Sequence, residues 1–208
     1  MYQLAPLRPI TIRIFIPVRM IVQYIGTFKP NYKLFLYTMS RIRHNQSHPQ
    51  SADRLDILSE MERQFDRRNA TYFLDLLTHM DNVIRTRAIC ILADIAGEDA
   101  VDHISNVLRN DKEPLVRHEA AFSLGQLGFT NAINALSGAL RSDSSFFVRH
   151  EAAIALGVIG SEMAKGALDK ALGDGSEEVR ESANIALANI DYISKMKRIN
   201  KFSKMTGG

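Results

Sequence analysis

The feature that most constrains this chain is an internal echo. Val116-Arg117-His118-Glu119-Ala120-Ala121 returns 32 residues later as Val148-Arg149-His150-Glu151-Ala152-Ala153, and each copy leads on to a Leu-Gly, at Leu124-Gly125 and Leu156-Gly157. A period of that length belongs to helical-hairpin repeats, in which a unit buries its apolar face only by stacking on its neighbours.

Aligned on the arginine, the echo extends to four units, at Arg85, Arg117, Arg149 and Arg180, with steps of 32, 32 and 31 residues. The same register superposes Leu92, Leu124, Leu156 and Leu187, and behind them Ile95, Leu127, Ile159 and Ile190. Ala88, Ala120, Ala152 and Ala183 form a small-residue column suited to close helix approach. First helices are expected over residues 70–80, 99–109, 131–140 and 162–172. Second helices are expected to begin near Val83, Glu113, Phe146 and Glu177. Gly97-Glu98-Asp99, Asn110-Asp111, Gly128, Gly160 and Gly173-Asp174-Gly175 punctuate them as loops. Ahead of the array, Leu55, Leu58, Met61 and Phe65 mark one face of a capping helix. Strand signals are nearly absent. The expected fold is all-α: a right-handed superhelix, or α-solenoid, of about four helical hairpins plus an N-terminal capping helix, spanning residues 53–193.

Composition matters at the two ends. Residues 1–50 hold seven Lys or Arg and no Asp or Glu, which leaves 19 basic and 23 acidic residues for the remainder despite an overall charge of +3. The array is therefore mildly acidic, which argues against a nucleic-acid partner and leaves room for a basic protein partner. Pro9, Pro17 and Pro30, with Arg13, Arg19 and Lys29, interrupt the apolar stretch 12–37, so no run reaches the ~20 residues of a spanning helix. A secretory signal fits poorly for want of a small-residue cleavage site. The acid-free composition of residues 1–52 fits a transit peptide, or a start assigned too early with initiation near Met39. These residues are expected to stand outside the fold, as disordered chain or a mis-assigned start. Residues 194–208 are expected to be a flexible basic tail. A single cysteine, Cys90, excludes an intramolecular disulfide framework and makes a reducing cytoplasm the simpler location.

The repeat also serves as an internal control, because framework residues recur in every unit and site residues only where a site exists. The fourfold arginine is framework: a buried stem whose head links adjacent repeats or caps a helix. The next two columns are Thr86, His118, His150, Glu181 and Arg87, Glu119, Glu151, Ser182. His-Glu is thus confined to the two central repeats, which marks a candidate site, although duplication of one repeat leaves the same pattern.

Helix axes in stacked repeats lie ~10 Å apart, so equivalent side chains one repeat apart can converge on one ion. Two imidazoles and one or two carboxylates make an N/O donor set without thiolate. That set suits Fe(II), and also Mn or Zn. His118 and Glu119 diverge by ~100° on their helix, so the four side chains are expected to divide between ligating and orienting roles.

Residues Arg87-Ala88, the run Leu115-Val116-Arg117-His118-Glu119-Ala120-Ala121-Phe122-Ser123-Leu124-Gly125-Gln126-Leu127, then Val148-Arg149-His150-Glu151-Ala152 and Val179-Arg180-Glu181-Ser182, resemble one half of deoxyhypusine hydroxylase. That family is built of HEAT-like repeats of the lyase type, and the resemblance covers about residues 70–193. It implies a metal-dependent, O2-using hydroxylase (a monooxygenase) acting on a modified lysine of a translation factor in hypusine biosynthesis. It also implies His118, Glu119, His150 and Glu151 as metal ligands, and iron as the cofactor. The family carries four His-Glu pairs holding two irons, whereas this chain has two pairs. A two-fold homodimer sharing a di-iron centre is the economical repair.

The alternative is a non-enzymatic HEAT-repeat scaffold binding a protein on its concave face. A bilin-lyase-type subunit ranks below both, since nothing beyond the repeat frame speaks for it. Other candidates have plainer readings. His44 and His48 are solvated linker residues. His79 ends a first helix, where the dipole favours a protonated imidazole. His103 lies on an outer helix, and Cys90 aligns with Phe122 and Ile154 as a core hydrophobe.

Overall fold

The computed structural model describes residues 50–199. The expectations for residues 1–49 and 200–208 lie outside the described residues.

Helix α1 (Gln50–Asp66) is followed by four helical pairs. These are α2 (Ala70–Leu76) with α3 (Asn82–Ile95), α4 (Val101–Asn110) with α5 (Pro114–Leu127), α6 (Ile133–Ser142) with α7 (Phe146–Ile159), and α8 (Lys165–Ala171) with α9 (Glu177–Arg198). No strand occurs among the described residues. The second helices α3, α5, α7 and α9 pack in series as one layer, and α4, α6 and α8 as another. The all-α solenoid read from the repeat is the structure.

Local chemistry sets the boundaries. The first helices start later than the apolar pattern implies, because one 3-10 turn precedes each of the last three, at Gly97–Ala100, Thr130–Ala132 and Glu162–Ala164. Each second helix begins behind an aspartate whose side chain accepts a backbone N–H two residues on: Asp81 from Val83, Asp111 from Glu113, Asp143 from Ser145 and Asp174 from Ser176. Such bonds satisfy N–H groups that a helix start leaves without partners. Gly128 and Gly160 stop α5 and α7 in the left-handed conformation, at φ 74° and 66°. Helix α9 continues to Arg198, five residues past the expected boundary. Ile190 and Ile193 stay buried there, and Lys195, Lys197 and Arg198 complement the dipole at its last turn.

Packing follows the columns with two corrections. Ala88, Ala120, Ala152 and Ala183 are fully buried, as are Leu92, Leu124 and Leu156. The closest approach between second helices, however, is at the glycines. A Cβ on Gly125 would lie 2.9 Å from Ala155 Cα, and one on Gly157 would lie 2.8 Å from Ala186 Cα. In α1 only part of the expected stripe is inside: Met61 is buried with Ile57 and Leu58 against it, whereas Leu55 and Phe65 are exposed. A capping helix has one neighbour to bury against, so its apolar face is narrower than that of an internal helix.

The arginine column builds the joint between repeats. Arg85 makes a bidentate pair with Asp111 (2.6 and 2.9 Å), Arg117 with Asp143 (2.7 and 2.8 Å), and Arg149 with Asp174 (2.8 and 2.9 Å). Each of these arginines also donates from Nη1 to a carbonyl at its own helix start. The aspartate that accepts an N–H at the start of one second helix therefore clamps the arginine of the repeat before it, which fixes the register of successive second helices.

Candidate functional site

The site columns lie one and two positions after the arginine, so the clamp sets their placement. His118 on α5 and Glu151 on α7 meet across the joint, with His118 Nε2 3.2 Å from Glu151 Oε2. Glu151 is 8% exposed, and a buried carboxylate is costly without such a partner. The His118 ring is further held by Phe147 in the first turn of α7, stacked at 3.9 Å between centroids and 5° between planes. With the ring stacked on Phe147 and Nε2 facing the Glu151 carboxylate, the pair is pre-oriented.

His150 is oriented by the last repeat. Ser182 Oγ donates to the Glu178 carbonyl (2.7 Å), which uses its one proton, and lies 2.7 Å from His150 Nδ1. With its proton on that carbonyl the hydroxyl accepts from Nδ1, an arrangement that leaves Nε2 its lone pair. Glu119 is engaged differently: Cys90 donates to its Oε1 at 2.9 Å.

Of the four predicted side chains, the structure brings His118 and Glu151 into contact with each other. Glu119 turns to Cys90 and His150 to Ser182. Among the described residues no group of three or more His, Cys, Asp or Glu is placed to hold a metal. One chain therefore presents a two-residue N/O pair with two flanking donors.

Two sequence readings need correction. Cys90 is exposed rather than core, because its column (Cys90, Phe122, Ile154) lies on the same face as the His-Glu columns, one turn further along. It still has enough protein around it that burial, followed by the Glu119 carboxylate, pushes the thiol pKa up. Cys90 is thus a neutral hydrogen-bond donor. His79 lies beyond the end of α2 at Leu76 rather than in its last turn, and its Nδ1 accepts the Asp81 N–H at 3.0 Å. Phe147 and Ser182 were not legible as site residues. Both belong to the repeat after the one they serve, at offsets of 29 and 32 residues from His118 and His150, which the column alignment offered but did not single out. His103 is exposed, as expected.

HEAT repeats match residues 70–157 and, in a second register, 101–188, together more than half of the chain. The chain belongs to the HEAT-repeat family. Within that family its array is similar to human deoxyhypusine hydroxylase, solved in complex with glycerol, at 32% identity and a TM-score of 0.56 over 60% of this chain. It is also similar to a chain of the CpcE–CpcF complex of phycocyanin lyase from Nostoc sp. PCC7120, at 26% identity and a TM-score of 0.52 over 64% of this chain. This chain covers 44% of the hydroxylase and 57% of the lyase chain. No curated protein matches the sequence. No helix among the described residues is long and apolar enough to cross a membrane.

Proposed function

We propose that this HEAT array is half of a metal-dependent, O2-using hydroxylase of the deoxyhypusine type, completed by a second copy of the chain. The observation that carries this reading is the His118–Glu151 contact across adjacent repeats, in columns where His-Glu is confined to the two central repeats. The 32% identity with the human hydroxylase supports it.

The residues fit a divalent cation in kind. His118 Nε2 and Glu151 Oε2 face each other at 3.2 Å, an imidazole and a carboxylate that a divalent cation would take as ligands. His150 has its Nε2 lone pair free because Ser182 holds the other nitrogen, the usual device for orienting a ligating imidazole. Cys90 stays a thiol, so the set remains N/O, which suits iron. In number the set is incomplete within one chain, and a two-fold partner would supply the same four side chains again. His118, Glu119, His150 and Glu151 would hold the metal, and the bound iron would supply oxygen activation. The protein's own part is to fix two imidazoles, keep Glu151 buried beside His118, and offer a mildly acidic array to a basic substrate segment carrying a modified lysine. We place it in the cytoplasm on the strength of its single free thiol.

Metal analysis of chain purified without chelator tests this directly. About one iron per chain, lost in both His118→Ala and His150→Ala, is expected, with turnover of a deoxyhypusine-bearing factor. Metal-free protein that cannot be loaded with Fe(II) under reducing, anaerobic conditions overturns it. The second reading, a scaffold that binds a protein on its second-helix face, is favoured by one observation: the Cys90 bond already engages Glu119. It predicts partner binding that survives both His substitutions.

A further inference from the structure

Among the described residues, the two ends of the array differ in how the arginine–aspartate series terminates. At the first end Arg54 of α1 supplies Asp81 with the guanidinium that a preceding repeat would have provided. At the far end Arg180 keeps its bond to the Asp174 carbonyl, but among the described residues no carboxylate meets it. Residues 1–49 and 200–208 contain no Asp or Glu that could.

The outer face of α9 shows what covers this end. Val179, Ala183, Ala186 and Ile190 are buried against the array. On the opposite side Ile185, Tyr192 and Ile199 recur every seven residues, exposed at 48%, 40% and 49%, with exposed Ala188 between them. A seven-residue apolar spacing keeps one stripe of a helix facing a partner helix. The charges along α9 are segregated: Glu177, Glu178 and Glu181 at its start, Lys195, Lys197 and Arg198 at its end. Glu181 and Lys195 carry no ion pair among the described residues, and both lie seven residues from Ala188.

We propose that α9 is the seam of a two-fold homodimer, in which the α9 helices of two copies pack antiparallel and cross near Ala188. A two-fold axis there sets Glu181 opposite the partner's Lys195, and brings Ile185 to within one residue of the level of the partner's Tyr192. A parallel pairing sets acid against acid and base against base. The acid-to-base polarity of the helix is self-complementary only in the antiparallel arrangement, which is why a second copy fits better than an unrelated helix. The seam uses none of the four His and Glu side chains. It therefore stands apart from the hydroxylase reading, while supplying the second copy that reading needs.

Sedimentation of the full chain tests it. The wild type is expected to sediment as a dimer of the 23.4 kDa chain, and Ile185→Asp as a monomer with unchanged helical circular dichroism. Glu181→Lys and Lys195→Glu should each weaken self-association by at least about tenfold. Mixing those two variants should restore a dimer that contains one chain of each, because every crossing pair is then again of opposite sign. His118→Ala in chelator should dimerise like the wild type, which separates failure of the seam from failure of the metal site. A monomeric wild type, an undisturbed Glu181→Lys dimer, or single variants that do not recombine on mixing each overturn the proposal.

Discussion

His118 and Glu151, 33 residues apart in sequence, lie 3.2 Å apart because the Arg117–Asp143 clamp holds α5 and α7 in register. The Phe147 ring flat against His118 completes the arrangement. Removing that ring in Phe147→Ala should cost about 1–3 kcal/mol of stability, less than truncating a fully buried aromatic. It should also weaken Fe(II) binding, because the imidazole is no longer held in one plane. Thermal unfolding and metal titration read the two effects separately.

Ser182→Ala removes the acceptor that selects the His150 tautomer. The expected outcome is a mixed Nδ1/Nε2 proton population by nitrogen NMR in place of a predominant Nδ1–H form. A fall in metal affinity of about 10–100-fold should accompany it. An unchanged tautomer ratio would show that the Glu178 carbonyl, 3.4 Å from Nδ1, suffices alone.

The Arg149–Asp174 joint should be visible in acid unfolding. The guanidinium holds the Asp174 carboxyl below its ordinary value of 3.8. Its contribution is therefore fully present above that value and is lost as pH falls through the lower folded-state value. Asp174→Asn should remove this part of the acid limb and leave stability less dependent on pH below about 4. Arg149→Ala at neutral pH should cost about 2–4 kcal/mol, since it strands a mostly buried carboxylate. Urea titrations across pH check both.

Gly125→Ala places a methyl group 2.9 Å from Ala155 Cα, a backbone atom that cannot rotate away. Helices α5 and α7 must separate, at a cost of about 1–3 kcal/mol. The shift should also lengthen the His118–Glu151 contact, so metal affinity falls with stability. Gly138→Ala has open space at its Cβ and should be neutral or slightly stabilising by helix propensity.

Cys90 should alkylate slowly at pH 8, because burial and then the Glu119 carboxylate both raise its thiol pKa. Glu119→Gln removes the second cause and should speed alkylation several-fold, with the rate profile shifted to lower pH.

Much of this was legible in one dimension because a repeat is its own alignment. Four arginines, four alanines and the leucine ladder recur at fixed spacing, and a column that must pack on its neighbour in every unit cannot vary freely. That determined the all-α solenoid, the number of hairpins and the arginine as a framework residue that links repeats or caps a helix. It also isolated His118, Glu119, His150 and Glu151 as departures from the frame.

What the column positions could not carry is direction. Cys90 looked like core because Phe122 and Ile154 share its column, yet the column turns outward. Asp111 and Asp174 looked like loop punctuation, yet each, like Asp143, accepts an N–H at the start of its own second helix and clamps the arginine of the previous repeat. The four site residues looked equivalent in pairs, yet His118 takes Glu151, His150 takes Ser182 and Glu119 takes Cys90. By itself the sequence determined which residues recur, since stacking demands the same side chain at the same step. Only the tertiary structure decided which of them touch. The helix-to-helix offset places each side chain against a different column of the next repeat, and that offset is set by bidentate clamps and glycine contacts that no single repeat contains.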